Sequence, residues 1–128
     1  MTAAQPPAPW PTEIRLRKAE KILEITFDDG SAFRIPAELL RVESPSAEVQ
    51  GHSPSQKTLV AGRRHVGIME VEPVGNYAVR LVFDDMHDTG IYTWTYLHHL
   101  GRNQEKIFRD YVDALAASGQ SRDPPKRG

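Results

Sequence analysis

Residues 83–96, FDDMHDTGIYTWTY, contain the point at which a strand pattern changes into a helix pattern. The apolar residues that lead into this stretch alternate with other residues: Val79, Leu81 and Phe83. The apolar residues after its glycine recur at helical spacing: Trp94, Leu97 and Leu100. Alternation is typical of a strand with one buried face, and the second spacing is typical of an amphipathic helix. The stretch therefore predicts an α+β fold in which antiparallel strands precede helices.

A first hairpin is predicted near the N-terminus. Its strands cover about residues 21–27 and 31–35, and Asp28-Asp29-Gly30 between them is a tight-turn signal. A further alternating segment, which contains Ile14 and Leu16, precedes this hairpin.

The second hairpin consists of Val66–Val74 and Tyr77–Phe83. Gly75-Asn76 lies between the strands and predicts a two-residue connection, because both residue types tolerate positive φ. The two hairpins together predict one antiparallel sheet.

Three helices complete the predicted fold. Pro36 is suited to the first position of a short helix over about residues 36–42, directly after the first hairpin. Of the two C-terminal helices, the first is expected to end at a left-handed Gly101, and Asn103 is expected to cap the second. The last helix has an apolar stripe: Phe108, Tyr111, Val112 and Leu115.

The length and composition indicate a single domain. The chain has 128 residues, of which 39% are hydrophobic and 8% aromatic, values that suit one domain with one core. Residues 1–11 are rich in proline and alanine, and residues 118–128 read SGQSRDPPKRG. These compositions predict a disordered lead-in and a disordered tail around a domain over residues 12–117.

The charge balance and the absence of cysteine exclude several functional classes. Sixteen basic and 17 acidic residues give a net charge of −1, so we expect no general binding to nucleic acid or to a membrane. Disulfides, thiolate nucleophiles and cysteine-ligated metals are excluded because the chain has no cysteine. No apolar run approaches the roughly 18–20 residues of a membrane span, and the N-terminus has no secretory pattern. The predicted location is the cytoplasm.

The acidic turn after the second hairpin is the predicted functional site, because loops on a rigid scaffold carry function. Its candidate residues are Asp84, Asp85, His87 and Asp88. We interpret His87 first as a hydrogen-bonding anchor for the 44–52 loop. In one alternative, His87 and nearby carboxylates or histidines bind a divalent cation. In another, His87 is the acid–base group of an uncharacterised enzyme.

Several other polar and aromatic residues have two interpretations. Arg63 and Arg64 form a small basic patch or a solvated loop, and the solvated loop is favoured. His98 and His99 point about 100° apart on a helix, so a shared metal ion is not expected. Tyr92 and its neighbour Trp94 either stack on a ligand or belong to the core, and the core is favoured.

The run EPVGNYAVRLVFDDMHDTGIYTWTYLHHLGR, at residues 72–102, resembles the gamma-butyrobetaine hydroxylase-like N-terminal domain family. The likeness continues through the segment at 14–41 and through SPSAEVQGH at 44–52, and it covers about residues 12–117. Related domains precede the catalytic domain of some 2-oxoglutarate-dependent oxygenases or follow an ATPase of the type that carries iron–sulfur clusters. His52, in a family-like Gly-His-x-Pro turn, is a further candidate residue.

The resemblance also implies a structural zinc in the oxygenase-linked relatives, held by three cysteines and one histidine. His87 matches the histidine, whereas the cysteine positions carry other residues here: Ser44, Ser46 and Val49. One imidazole does not hold a structural tetrahedral zinc, so we expect no metal and no cofactor. We expect serine–backbone hydrogen bonds and packing by Val49 to keep the course of the loop.

The predicted function is that of a small, non-catalytic interaction domain. The resemblance implies another protein as partner, either a metalloenzyme or a component of iron–sulfur cluster assembly or maintenance. It also places the 43–65 loop beside the 84–92 turn, so these segments form the predicted interaction surface. Its members are His52, Arg63, Arg64, Asp84, Asp85, His87, Asp88 and Tyr92.

Overall fold

The first hairpin belongs to a three-stranded antiparallel sheet. The computed structural model of the chain describes residues 9–125. The strands of this sheet follow in chain order: β1 (Pro11–Arg17), β2 (Ile22–Phe27) and β3 (Ala32–Pro36). Leu23, Ile25 and Phe27 are buried, as their alternation predicts. Gly30 has a φ of +86° in the turn, which favours glycine. The predicted first hairpin is therefore confirmed.

The second hairpin forms a separate sheet. Its antiparallel strands also follow in chain order: β4 (Ile68–Val74), β5 (Ala78–Phe83) and β6 (Ile91–Thr93). Val74 pairs with Ala78, so three residues, 75–77, make the connection, and the predicted two-residue turn is wrong. The strand β6 was not predicted, because three residues are too few to show a period. The α+β class is confirmed, with two sheets in place of one.

Within residues 9–125, four helices and one 3-10 turn accompany the sheets. The helices are α1 (Ala37–Val42), α2 (Ala47–Gln50), α3 (Trp94–Arg102) and α4 (Gln104–Ala117). The predicted helix after the first hairpin is confirmed as α1, with Pro36 as its N-cap residue. The long segment at 43–64 contains α2, which was not predicted, and a 3-10 turn at Pro54–Gln56.

Gly101 has a different role from the one predicted. The helix α3 continues through it to Arg102, so the predicted left-handed helix end is wrong. A Cβ atom at this position would lie 2.4 Å from ring atoms of Phe33. Gly101 therefore allows α3 to approach β3 closely. Asn103 is the N-cap residue of α4, as predicted, but its side chain donates to the carbonyl of His99 at 2.9 Å and makes no cap hydrogen bond.

Two apolar clusters hold these elements together. The larger one joins both sheets to α1 and α3. The smaller one joins the long segment at 43–64 to α4 and contains Val42, Val49, Val60, Tyr111 and Leu115. The predicted stripe of α4 is only partly buried, because Val112 is exposed. In residues 9–125, none of the helices has the length and apolar content that crossing a membrane requires.

The predicted disordered ends are described only in part. Residues 1–8 and 126–128 lie outside the described residues. The last residue of the predicted lead-in, Pro11, is the first residue of β1. In the tail, Gly62 donates its N–H to the carbonyl of Ser121 at 2.9 Å, and Arg64 donates to that of Arg122 at 3.0 Å. Residues 121–122 are therefore held against the long loop.

Candidate functional site

A chain of hydrogen bonds joins the 84–92 turn to the 44–52 loop. His87, 5% exposed, follows β5 and lies beneath the loop. Its Nε2 atom is 2.8 Å from the Ser44 hydroxyl, and its Nδ1 atom is 3.0 Å from the Glu48 carboxylate. Each ring nitrogen therefore contacts a different point of the loop, as an anchoring role for His87 requires.

The partners of His87 determine its tautomer. A carboxylate only accepts hydrogen bonds, so the proton on Nδ1 is donated to Glu48. In the neutral ring Nε2 then accepts from the Ser44 hydroxyl, whose oxygen in turn accepts from the N–H of Ser46 at 3.2 Å. We call Ser44, His87 and Glu48 the histidine relay. The hydrogen bonds of the histidine relay therefore each join a donor to an acceptor of the correct type.

Local structure places the loop within reach of this histidine. Ser46 is the N-cap of α2, and its side chain accepts the N–H of Glu48 at 3.2 Å. The same hydroxyl is 2.7 Å from the hydroxyl of Thr89 in the turn. Gly90 is also required, because a Cβ atom there would lie 2.5 Å from the Ser44 Oγ atom. The loop and the turn are therefore in contact through both backbone and side chains.

The histidine relay has the hydrogen-bond order of a Ser-His-acid catalytic triad, but its nucleophile is not presented to a substrate. Ser44 is 0% exposed, and it lies against the backbone of Gly90. A triad needs the serine oxygen open to a carbonyl carbon and near oxyanion donors. In this arrangement the relay holds the loop in place and does not offer Ser44 to a substrate.

Asp85 is the electrostatic centre of the turn. Its Oδ2 atom accepts from the Nε of Arg41 and from the Nε of Arg63, both at 2.7 Å. Its Oδ1 atom accepts the N–H of His87 at 3.2 Å. Burial raises the pKa of Asp85, but the hydrogen bond and charge of Arg41, the N–H of His87 and the charge of Arg63 together outweigh burial, so the net pKa lies below its ordinary value. Asp85 therefore stays ionised and ties the turn to α1 and to the loop.

Part of the turn is exposed to water. Asp84 and Asp88 are exposed, and Arg80 donates to the backbone carbonyl of Asp88 at 3.3 Å. Met86, between the buried His87 and the paired Asp85, is 90% exposed and has a φ of +73°. The left-handed region is unusual for a residue with a long side chain. The turn therefore exposes an apolar side chain, and the buried His87 and the paired Asp85 hold the backbone on either side of it.

The residues present do not fit the zinc that the resemblance implies. The two serine hydroxyls are hydrogen-bonded, Ser44 to His87 and Ser46 to Thr89. Val49 is buried in the smaller apolar cluster and offers no ligand atom. Within residues 9–125, no group of three His, Asp or Glu side chains is arranged to hold a metal ion. At the three positions that carry cysteines in the relatives, the side chains here form hydrogen bonds or pack in the core.

The other members of the predicted interaction surface have different positions. His52 is exposed, and its N–H donates to the side chain of Gln56 at 2.9 Å. Arg63 is paired with Asp85, and Arg64 is paired with Asp123. Tyr92 is 0% exposed and donates to the carbonyl of Leu40, so its assignment to the surface is wrong. Burial raises the pKa of Tyr92 far above its ordinary value.

The two adjacent histidines of α3 do not share a ligand. His98 is half-buried, and its Nε2 atom is 2.9 Å from Asp29 Oδ2. His99 is exposed, and its ring stacks on Tyr96 with the ring centres 6.3 Å apart. Trp94 is half-buried and donates from Nε1 to the carbonyl of Asn76 at 2.9 Å. The favoured core interpretation of Trp94 agrees with its packing against the larger cluster.

Sequence reasoning missed several residues of the site. Arg41, Glu48, Thr89 and Met86 were not candidates, because each lacks a motif of its own. For Glu48 a signal was present: Ser46 before Ala-Glu is an N-cap pattern. It predicts a helical turn that carries Glu48 on its first turn. For Arg41 and Met86 the pattern gives no signal, because their roles depend on contacts between distant segments.

Comparison with known proteins places the chain among proteins of the same fold. A solution NMR structure of one protein shares 44% identity with it, with a TM-score of 0.82, and covers 94% of this chain and 95% of its own. A second NMR structure also shares 44% identity, with a TM-score of 0.80, and covers 100% and 96%. Comparison with curated proteins gives no match.

A crystal structure at 1.93 Å resolution from Acidithiobacillus ferrooxidans ATCC 23270 is also similar, and its protein has unknown function and belongs to the DUF971 family. It shares 43% identity with this chain, with a TM-score of 0.60, and covers 71% of this chain and 91% of its own. The model of the family described as gamma-butyrobetaine hydroxylase-like, N-terminal, matches residues 14–98. The chain belongs to the gamma-butyrobetaine hydroxylase-like N-terminal domain family.

Proposed function

We propose that this domain is a non-catalytic protein-interaction module whose partner binds the 84–92 turn together with the 43–65 loop. The observation that carries the proposal is Met86, which is 90% exposed at a φ of +73°. Removal of an apolar side chain from water by a partner contributes favourably to the free energy of binding. Methionine is also common at binding surfaces, because its flexible thioether adapts to the partner.

The chemistry of the site favours binding over catalysis. An acid–base group needs a position from which it reaches a substrate, and His87 is buried with both ring nitrogens engaged by Ser44 and Glu48. Asp85 shares one carboxylate oxygen between two arginines. These groups support the shape of the turn from beneath. The exposed residues of this surface include Met86, Asp84, Asp88 and His52.

The class of partner follows from the family. Domains of this family accompany oxygenases and carriers of iron–sulfur clusters, so we infer that the partner is a metalloenzyme or a component of iron–sulfur cluster assembly or maintenance. This inference rests on analogy between proteins that share a domain. The exposed carboxylates beside Met86 suit a partner surface with basic residues around an apolar pocket.

Site-specific crosslinking tests the surface. A photo-reactive amino acid at position 86 of the full chain should capture one predominant protein in cells. The same group at Met69, which is 52% exposed in β4, is the matched control and should not capture it. If position 86 yields no partner, or if both positions yield the same proteins, the proposed surface is wrong.

Affinity and metal content of the captured protein complete the test. With the purified partner, Met86→Asp should weaken binding at least about tenfold, which corresponds to about 1.4 kcal/mol, whereas Met69→Asp should leave the affinity unchanged. Equal affinities of the wild-type chain and Met86→Asp would contradict the proposal. Iron, sulfide or another metal in the partner supports the inferred class, and a partner that holds none contradicts it.

A further inference from the structure

The C-terminal end of the described chain forms a strap across the domain. We call residues 118–125 the C-terminal strap. It leaves α4, reverses at Gly119, which has a φ of +72°, and runs beside residues 62–64. Gly62 and Arg64 donate their N–H groups to the carbonyls of Ser121 and Arg122, at 2.9 and 3.0 Å. Both bonds are donated by the 62–64 segment and accepted by two consecutive carbonyls of the strap.

One side chain of the strap occupies a specific site. Arg122 donates from Nε and Nη2 to the two carboxylate oxygens of Glu38, at 2.7 and 2.6 Å. The Glu38 side chain is 7% exposed, and the guanidinium carbon lies 4.9 Å from the ring centre of Phe108. A buried carboxylate needs a partner, and the planar fork of arginine matches it with two bonds. The aromatic face adds a cation–π contact.

The next residue of the strap meets a complementary charge. Asp123 pairs with Arg64, and the N–H of Arg64 also donates to the carbonyl of Arg122. The domain therefore presents a carboxylate, an aromatic face, two N–H groups and a guanidinium in a fixed order. We call Glu38, Phe108, Gly62 and Arg64 the arginine site. This order matches the consecutive Arg122 and Asp123 side chains of the strap.

The strap does not fill the site completely. A cavity of about 450 Å³ lies elsewhere between the loop and α4, but a second one, of about 310 Å³, is lined in part by Arg122 and Glu38. The other walls of the second cavity include Pro36, Leu39 and Phe108. If a partner segment carries an apolar side chain next to its arginine, this side chain would enter the second cavity. It would bury apolar surface that the strap leaves uncovered.

We propose that the arginine site binds an Arg-Asp-containing segment of a partner protein, and that the C-terminal strap is an intramolecular occupant which this segment displaces. The proposal rests on the proposed function, because it assumes that the domain binds proteins, and it adds a second recognition element with its own chemistry. Since the strap is tethered, it competes at a high effective concentration and lowers the apparent affinity for the segment in trans.

A blocked peptide, SGQSRDPP, tests this site with the full chain. The Arg122→Gln variant keeps the strap but loses the guanidinium, so it should bind the peptide at least about tenfold more tightly than the wild-type chain. A peptide with glutamine in place of arginine should not bind. The double variant Glu38→Gln/Arg122→Gln should lose peptide binding, because its site no longer has a carboxylate. Calorimetric titration gives all four affinities.

Three results would overturn the proposal: no peptide binding by folded Arg122→Gln, equal affinity of this variant and the wild-type chain, or binding that survives Glu38→Gln. If Arg122→Gln does not fold, the test uses Arg122→Lys, since lysine keeps the charge but not the bidentate fork. Arg122→Lys should also bind the peptide more tightly than the wild-type chain. Equal affinities of these two proteins for the peptide would refute the proposal. The titration does not involve Met86. A negative result here therefore leaves the crosslinking test of the turn intact, and the reverse also holds.

Discussion

Replacing His87 by alanine removes the ring that joins the turn to the loop, and the cost follows from the exposure of its two partners. Ser44 is 0% exposed, so its hydroxyl loses the Nε2 acceptor without gaining water, which costs about 1–3 kcal/mol. The Glu48 side chain is 61% exposed, so water replaces the Nδ1 donor and little is lost. We therefore expect His87→Ala to lower the free energy of unfolding by about 1–3 kcal/mol.

Denaturation by urea and by heat measures this loss. For a domain of this size the expected fall in melting temperature is about 4–15 °C. His52→Ala is the matched control, because it makes the same substitution at an exposed histidine of the same loop, and it should stay within about 0.5 kcal/mol of wild type. The 44–52 loop should also become more sensitive to protease in His87→Ala only.

A double-mutant cycle tests the contact itself. If Ser44 and His87 act through their hydrogen bond, the double variant Ser44→Ala/His87→Ala should lose less stability than the sum of the single variants, by about 0.5–3 kcal/mol. Additive losses would show that the two side chains act separately. A midpoint of His87→Ala equal to that of His52→Ala would refute the anchoring role.

Three further predictions concern metal content, packing and pH. The purified protein should hold no stoichiometric zinc after dialysis, because a serine, a serine and a valine stand at the cysteine positions; elemental analysis that finds one zinc per chain would contradict this. Gly101→Ala should destabilise the chain by about 1–3 kcal/mol in thermal melts, because the new Cβ atom would lie 2.4 Å from the Phe33 ring. This loss is expected even though alanine favours helices. A gain in stability would show that α3 moves freely. The hydrogen bonds from Ser31, with a smaller contribution from His98, lower the pKa of Asp29 to about 2. An aspartate whose pKa is lower in the folded state stabilises the fold at pH values above its unfolded pKa of about 4. This contribution is lost as the pH falls towards the folded pKa of about 2. Asp29→Asn should therefore flatten the acid limb of a circular-dichroism titration between about pH 4 and 2, and an unchanged limb would contradict it.

Local patterns predict those parts of the fold that depend on local physics. The alternation in β2 and β5 reflects one buried face in each strand, and the turn at Gly30 reflects a positive φ. The separation into two sheets was not predictable from the same patterns. Periodicity shows which face of a strand is buried, but it does not show which strands pair.

The glycines of the C-terminal half illustrate the limit further. Gly101 has no positive φ, so its helix-ending interpretation rests on the wrong property, and Gly90 has no positive φ either. Both are required because another segment approaches them, Phe33 in one case and Ser44 in the other. Such a contact spans more than forty residues of sequence and leaves no local pattern.

The candidate site shows the same division. His87 and the three replaced ligand positions were predicted through the resemblance, because residues that occur in family order are visible in a sequence. The pairing of Asp85 with Arg41 and Arg63 was not visible, since three separate segments supply the groups. The exposure of Met86 was also not visible, because it depends on the direction that a left-handed residue gives to its side chain.

The histidine relay has a consequence for the conditions under which the chain folds. A zinc-bound loop draws part of its folding free energy from metal binding, so its stability varies with free zinc and with chelators. Thiolate ligands are also open to stepwise oxidation. Hydroxyl, imidazole and carboxylate groups hold the loop here, and the chain has no cysteine. We therefore expect folding of this domain to be independent of zinc supply and of peroxide, in cells where either one fluctuates.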